Sequence, residues 1–208
     1  MIWQRLTNNY YKGQLYTLQA NIKYRQNKER GIKLPKASKE QIKKDEQKVI
    51  HHLTYAANES IDAIAKKCGF SRQKVWRIIK KLEKDHTIWG YTAIVDQDKQ
   101  GFEHYTALIK RTNMPVDDKL TNKIITQKLD DAIYGMDIEI ENSVYTHGIY
   151  DWTISFYAKD VKQAKKLCEI LKKMYSGYIE DIHLLENLFS IRKNRILNPN
   201  SEKLKEFL

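Results

Sequence analysis

The stretch Ser60–Tyr91, "SIDAIAKKCGFSRQKVWRIIKKLEKDHTIWGY", holds two apolar stripes of helical period separated by a very short turn. Ser60 is a good N-cap, and Asp62 stands favourably in the first turn that follows it. Ile61, Ile64, Ala65 and Cys68 then fall at i, i+3, i+4 and i+7, which predicts a short amphipathic helix. Gly69 suits the left-handed position that ends such a helix, and Ser71 caps the next one after only Gly69 and Phe70. Val75, Ile78, Ile79 and Leu82 form the apolar stripe of that second helix. Two helices joined so tightly must cross steeply, which is the geometry of a helix-turn-helix.

Upstream, "DEQKVIHHLTYAA" (Asp45–Ala57) puts Val49, Ile50, Leu53, Ala56 and Ala57 on one side and predicts a further packed helix. Downstream, the last helix is predicted to end near Asp85 and His86. "TIWGYTAIVD" then reads as a wing-like hairpin or as a short strand leading to a second domain. At 100° per residue, the side opposite the Val75–Leu82 stripe carries Gln73, Arg77, Lys80 and Lys84, flanked by Lys74, Trp76 and Lys81.

Charge is distributed unevenly over the 208 residues. The formal net charge of +11 divides into +8 for residues 1–45, +3 for residues 46–100 and zero for residues 101–208. Such asymmetry points to a polyanion partner for the N-terminal half, with nucleic acid ahead of an anionic membrane. No run approaches the roughly 18 apolar residues of a membrane span, and the first residues lack the apolar core of a secretion signal, so the chain reads as soluble and cytoplasmic. Cys68 and Cys168 form no C-x-x-C pair and read as reduced thiols in or near the cores. His51 and His52, adjacent on a helix, point about 100° apart, which is poor spacing for one metal. No phosphate-binding glycine loop, dinucleotide fingerprint or H-E-x-x-H is present, and no catalytic residue, metal or cofactor is assigned.

After Gly101 the pattern changes. "EHYTALIKR" is a predicted strand, "VDDKLTNKIITQKL" a helix, and "IEIENSVYTHG" a strand. "YDWTISFYAKD" is a strand in which Trp152, Ile154, Phe156 and Ala158 alternate with Thr153, Ser155 and Tyr157. A helix with Val161, Ala164, Leu167, Leu171 and Met174 facing inward follows, and "YIEDIHLLENLFSIRK" gives the last strand. The order βαββαβ is that of a ferredoxin-like sheet with both helices on one face, and its other face, bearing several apolar side chains, needs a partner. The fold class is therefore α+β: a winged helix-turn-helix (residues 45–96), then a ferredoxin-like domain (97–195) and a C-terminal tail (196–208). Residues 1–44 are a basic extension and linker, read as a disordered arm, a segment packed on a neighbouring subunit, or a contact to flanking DNA.

The run from Asp45 to Asp96 resembles the helix-turn-helix of the Lrp/AsnC, or feast/famine, transcription regulators. The shared features are acidic residues before the first helix, Ser before the second, Gly-Phe-Ser between the second and third, then "RIIKKLE" and "IWGY". "YTHGIYDWTISF" (Tyr145–Phe156) is similar to the Gly-x-Tyr-Asp element of that family's effector-binding RAM domain. Together the likeness covers about residues 45–195. Two features depart from it: His86 stands where the family commonly has Gly, at a position suited to a left-handed backbone, and the family usually begins at the first of these helices.

A recognition helix presents its first turns to the major groove, so Ser71, Arg72, Gln73, Lys74, Trp76 and Arg77 are the candidates for base contact. Lys80, Lys81 and Lys84 are candidates for phosphates. Gln is suited to adenine and Arg to guanine. The resemblance implies a small effector, often an amino acid, at a subunit interface near Gly148, Tyr150 and Asp151, with Asp151 pairing an α-amino group. A tight hairpin held by Gly148 and Asp151 is the alternative use of the same residues. The expectation is a sequence-specific regulator of double-stranded DNA that forms homodimers or larger closed assemblies and is not an enzyme. Two readings stay beside it: a siroheme-decarboxylase-like enzyme of the same outline, and a protein that coats chromosomal DNA generally.

Overall fold

The computed structural model describes residues 38–126 and 128–208, so most of the basic arm read in residues 1–44 lies outside the described residues. The chain divides into two compact units after Gly90.

The first unit contains three helices: α1 (Lys39–Leu53), α2 (Ile61–Cys68) and α3 (Arg72–Lys84). Helix α1 begins six residues before the Asp45 at which the apolar pattern starts, because Ser38 caps it by accepting a hydrogen bond from the Gln41 amide. Residues 39–44, read as linker, are thus the first turns of a helix. At its other end α1 stops at Leu53 and not at Ala57, and the Thr54 hydroxyl bonds back to the His51 carbonyl. Ser60 and Ser71 cap α2 and α3 through the amides of Ala63 and Lys74. Gly69 adopts φ 70°, and the Phe70 amide reaches back 2.9 Å to the Ala65 carbonyl, so the turn is a left-handed helix cap of the Schellman kind.

Val49, Ile64, Cys68, Val75 and Leu82 lie at the centre of this unit, all at most 4% exposed. Burial of each large aliphatic side chain contributes about 1.5–3 kcal/mol, and the three helices depend on one another for it. Helix α3 ends with His86 at φ 53°, the left-handed backbone for which the position is suited. Residues 89–96 form no strand, in place of the expected hairpin or strand. Their apolar residues Ile94 and Val95 instead line a crevice of the second unit with Leu188 and Ile196, which occupies them without a ladder.

The second unit runs β1 (Glu103–Arg111), α4 (Asp118–Ile125), α5 (Lys128–Ile133), β2 (Ile138–Tyr145), β3 (Trp152–Ala158), α6 (Val161–Met174) and β4 (Ile179–Glu186). The sheet order is β2-β3-β1-β4 with antiparallel neighbours throughout, the ferredoxin-like arrangement expected. The single helix expected over "VDDKLTNKIITQKL" is two: the Thr126 hydroxyl bonds the Asn122 carbonyl at 2.7 Å and ends α4. Strand β2 stops at Tyr145 and β4 at Glu186, both short of the runs read as strands. A small hairpin, β5 (Arg192–Lys193) and β6 (Ile196–Leu197), turning through Asn194 and Arg195 at positive φ, spans the point at which the tail is expected to begin.

Tyr105, Ile109, Ile154, Phe156, Leu167 and Leu171 are at the centre of the second core, each at most 1% exposed. Val161, expected to face inward, is the first residue of α6 and is 48% exposed; Ala164, Leu167 and Leu171 are the residues that pack. On the other face of the sheet Leu108 stands opposite Thr153 and His183, and Thr106 opposite Ser155 and Leu185. That face is mixed, with Val144 and Leu185 exposed among hydroxyl and histidine side chains.

Candidate nucleic-acid interface

Helix α3 owes its position to apolar residues on one side, which leaves the opposite side exposed. Gln73, Trp76, Arg77, Lys80, Lys81 and Lys84 are exposed, as are Ser71 and Arg72 at its start. Gln73 and Arg77 line a shallow concavity with Ile42 and Glu46 of α1, so the N-terminal half of α3 presents a donor-rich surface beside the preceding helix.

The basic residues of this surface have distinct partners. Lys74 is half-buried: its Nζ lies 2.6 Å from Asp45 Oδ2 and 3.9 Å from the centre of the Phe70 ring. Asp45, buried although charged, also accepts from Gln41 Nε2 at 3.0 Å, and the Lys74 hydrogen bond holds its carboxyl below the ordinary carboxylate range. Lys74 therefore joins α3 to α1. Lys48, which no spacing in the sequence singles out, reaches from α1 to the Cys68 carbonyl at 3.2 Å, where a cation suits the C-terminal end of α2.

The other pairs are at the surface: Arg72 with Asp62 (3.1 Å), Lys80 with Glu83 (2.7 Å) and Lys81 with Glu46 (2.6 Å). The Glu46 hydrogen bond pushes the Lys81 ammonium up from its ordinary value. Exposed pairs of this kind are weak and exchange readily for a phosphate. Among the described residues Arg77 and Lys84 make no ion pair, which leaves both guanidinium and ammonium available to a ligand.

In the second unit the loop between β2 and β3 holds the other candidates. Asp151 Oδ2 accepts from the Arg111 amide at 2.9 Å, the Asp151 amide donates to the Ile109 carbonyl at 2.9 Å, and its carbonyl accepts from Thr146 at 2.7 Å. Asp151 thus fastens the loop to the end of β1. Tyr150 meets His183 edge to face at 5.6 Å, and Gly148 has no atom within 4 Å of where a Cβ would stand. Both thiols are free, and burial raises Cys68 and Cys168 above the ordinary thiol range. Among the described residues no helix is long and apolar enough to cross a membrane.

Residues 46–88, which run from within α1 to just past the end of α3, match the family model described as winged helix-turn-helix DNA-binding. About three quarters of the chain is similar in structure to the AsnC family transcriptional regulator from Agrobacterium tumefaciens, at 18% identity and TM-score 0.52, over 75% of this chain and 96% of that one. The chain has the AsnC-regulator fold. The leucine response regulatory protein of Mycobacterium tuberculosis is similar at 14% identity and TM-score 0.55, over 74% of this chain and 98% of that one. A Neisseria meningitidis transcriptional regulator solved as an L-Met complex is similar at 12% identity and TM-score 0.54, over 76% and 94%. A search of curated protein sequences finds no match. In the AsnC-regulator fold as this chain builds it, α3 carries the basic surface and the β2–β3 loop carries Gly148, Tyr150 and Asp151.

Proposed function

We propose that the chain is a sequence-specific DNA-binding transcription regulator that reads the major groove with the N-terminal half of α3. The observation that carries this reading is Arg77 beside Gln73: both are exposed on the outer side of a capped helix whose inner side is locked into the core, and Arg77 makes no ion pair among the described residues. Arg is suited to guanine and Gln to adenine, so these two residues can supply base selection. Lys80, Lys81 and Lys84, farther along the helix, meet phosphates, and Arg72 and Ser71 add contacts at its start. Lys74 contributes by fixing α3 against α1 through Asp45.

A second copy of the chain covers the outer sheet face, on which Leu108, Val144 and Leu185 gather, and gives a homodimer or a larger closed assembly. Two-fold symmetry then predicts a palindromic operator with half-sites about one helical turn or a multiple apart. A small amino-acid-like effector acts near Gly148, Tyr150 and Asp151, a reading supported by the L-Met complex of a protein with the same fold. It works by altering how the subunits, and so the recognition helices, are spaced. The chain acts in the cytoplasm and is not an enzyme.

Selection of bound duplexes from random DNA, with and without a panel of amino acids, tests the proposal. A palindromic consensus whose recovery changes with one amino acid is the expected result. A population that stays random speaks for a general coating protein, and uptake of siroheme without DNA binding speaks for the enzyme.

A further inference from the structure

A cavity of about 480 Å³ lies between α4 and the helix-facing side of the sheet in the second unit. Ile109, Leu120, Ile124, Trp152, Tyr175 and Ile179 supply its apolar lining. Protein interiors are close-packed, and an apolar space of this size lies in the range of small-molecule sites.

Among the described residues one cation lines it. Arg111, at the end of β1, lines the cavity and is held there by its own bonds: one terminal nitrogen donates to the Tyr145 hydroxyl at 2.8 Å, the other to the Met114 carbonyl at 3.0 Å. Its Nε is buried and has no hydrogen-bond partner among the described residues. Tyr145 also lines the cavity and, having accepted from Arg111, keeps its own O–H to donate. Of the other polar side chains in the wall, Tyr178 donates to Asp117 at 3.0 Å, the Thr121 hydroxyl donates to the Asp117 carbonyl at 3.0 Å, and Ser143 accepts from the Trp152 indole at 2.9 Å, while the Tyr175 ring meets Trp152 edge to face. Among the described residues no Asp or Glu lines the space.

We infer that this cavity is a binding site for a small monocarboxylate with an aromatic or branched aliphatic tail. The planar guanidinium matches a carboxylate, the Tyr145 hydroxyl adds a second donor, and the apolar walls take the tail. The absence of an acidic group sets the selectivity: an α-ammonium would be desolvated there with no counter-charge, so an amino acid is rejected and the plain acid accepted. The site is distinct from the loop candidates Gly148 and Tyr150, yet it is tied to that loop, since the amide of Arg111 is the one that Asp151 holds at 2.9 Å. Occupancy therefore bears on the loop through a single residue.

The test is calorimetric titration of the full chain, without DNA, with phenylacetate, 4-methylpentanoate, phenylacetamide and phenylalanine. The two acids are expected to bind at least about tenfold more tightly than the amide or the amino acid, the factor a charge-assisted pair supplies. Arg111→Gln is expected to lose that factor. Ile124→Trp, which fills the cavity from the half-exposed side of α4, is expected to abolish binding with circular dichroism unchanged. The inference is overturned if neither acid binds, if amide or amino acid binds as well as the acids, or if Ile124→Trp binds as the parent does. Should Arg111→Gln not fold, the ligand series and Ile124→Trp decide alone. Because DNA is absent, failure here leaves the reading of α3 as it stands.

Discussion

The ammonium of Lys74 lies 2.6 Å from the buried carboxylate of Asp45, and this pair joins the recognition helix to the first helix. Asp45→Asn keeps the shape and removes the charge. It is expected to destabilise the first unit by about 1.5–3 kcal/mol at pH 7, the range for a hydrogen bond to a charged group, as read by urea denaturation. The pH dependence follows from the lowered carboxyl pKa. The folded state binds the Asp45 proton less readily than the unfolded chain does, so the contribution is present above the ordinary carboxylate pKa and is lost as pH falls through the lower, folded value. The difference in stability between parent and Asp45→Asn should therefore shrink in acid and be constant from pH 5 to neutrality in about the manner of any depressed carboxylate.

Arg77 and Lys84 separate reading from holding. Arg77→Ala is expected to cost about 1–3 kcal/mol on the preferred duplex and to relax base preference at one position. Lys84→Ala is expected to weaken binding alike on all sequences and to lower the salt slope by about one. Titrations on two duplexes at several salt concentrations measure both effects.

His86 occupies φ 53° at the end of α3, a conformation that costs a non-glycine residue about 1–2 kcal/mol. Glycine removes that cost and adds roughly 0.5–1 kcal/mol of unfolded-chain entropy. His86→Gly is therefore expected to raise stability by about 0.5–1 kcal/mol with DNA affinity unchanged, measured by thermal denaturation and a binding titration.

Asp151 holds the Arg111 amide across forty residues of sequence. Asp151→Ala leaves that amide without its acceptor and is expected to destabilise the second unit by about 1–3 kcal/mol with or without any amino acid added. Asp151→Asn keeps an acceptor oxygen and should recover most of the loss. A role confined to an effector's amino group predicts no change in the stability of the free protein, so denaturation of the two variants separates the uses.

The helix-turn-helix was legible because its signals are local. Ser60, Gly69 and Ser71 each act within four residues, and the structure uses them as caps and turn. The βαββαβ order was legible from alternation and period for the same reason. Ser38 was equally local, since Ser38 and Gln41 have the spacing of a capping box, but the Lys-rich, Pro-containing surroundings were read as linker. The Gln41 side chain goes to Asp45 instead of completing the box. What sequence could not supply were the partners of the charges. That Lys74 meets Asp45, Lys81 meets Glu46 and Lys48 meets the end of α2 depends on how α1 crosses the other two helices, and no spacing encodes it. The Arg111 cavity was hidden likewise, since its lining comes from all four strands of the main sheet, α4 and the end of α6.

The most direct measurement is fluorescence anisotropy of the full chain on a selected duplex and on a scrambled one at physiological salt, for the parent and Arg77→Ala. The parent is expected to prefer its own site by at least about a thousandfold, and Arg77→Ala to lose about ten- to a hundredfold of that preference. Equal binding of both duplexes by the parent, or a preference that Arg77→Ala leaves intact, would contradict sequence-specific reading by α3.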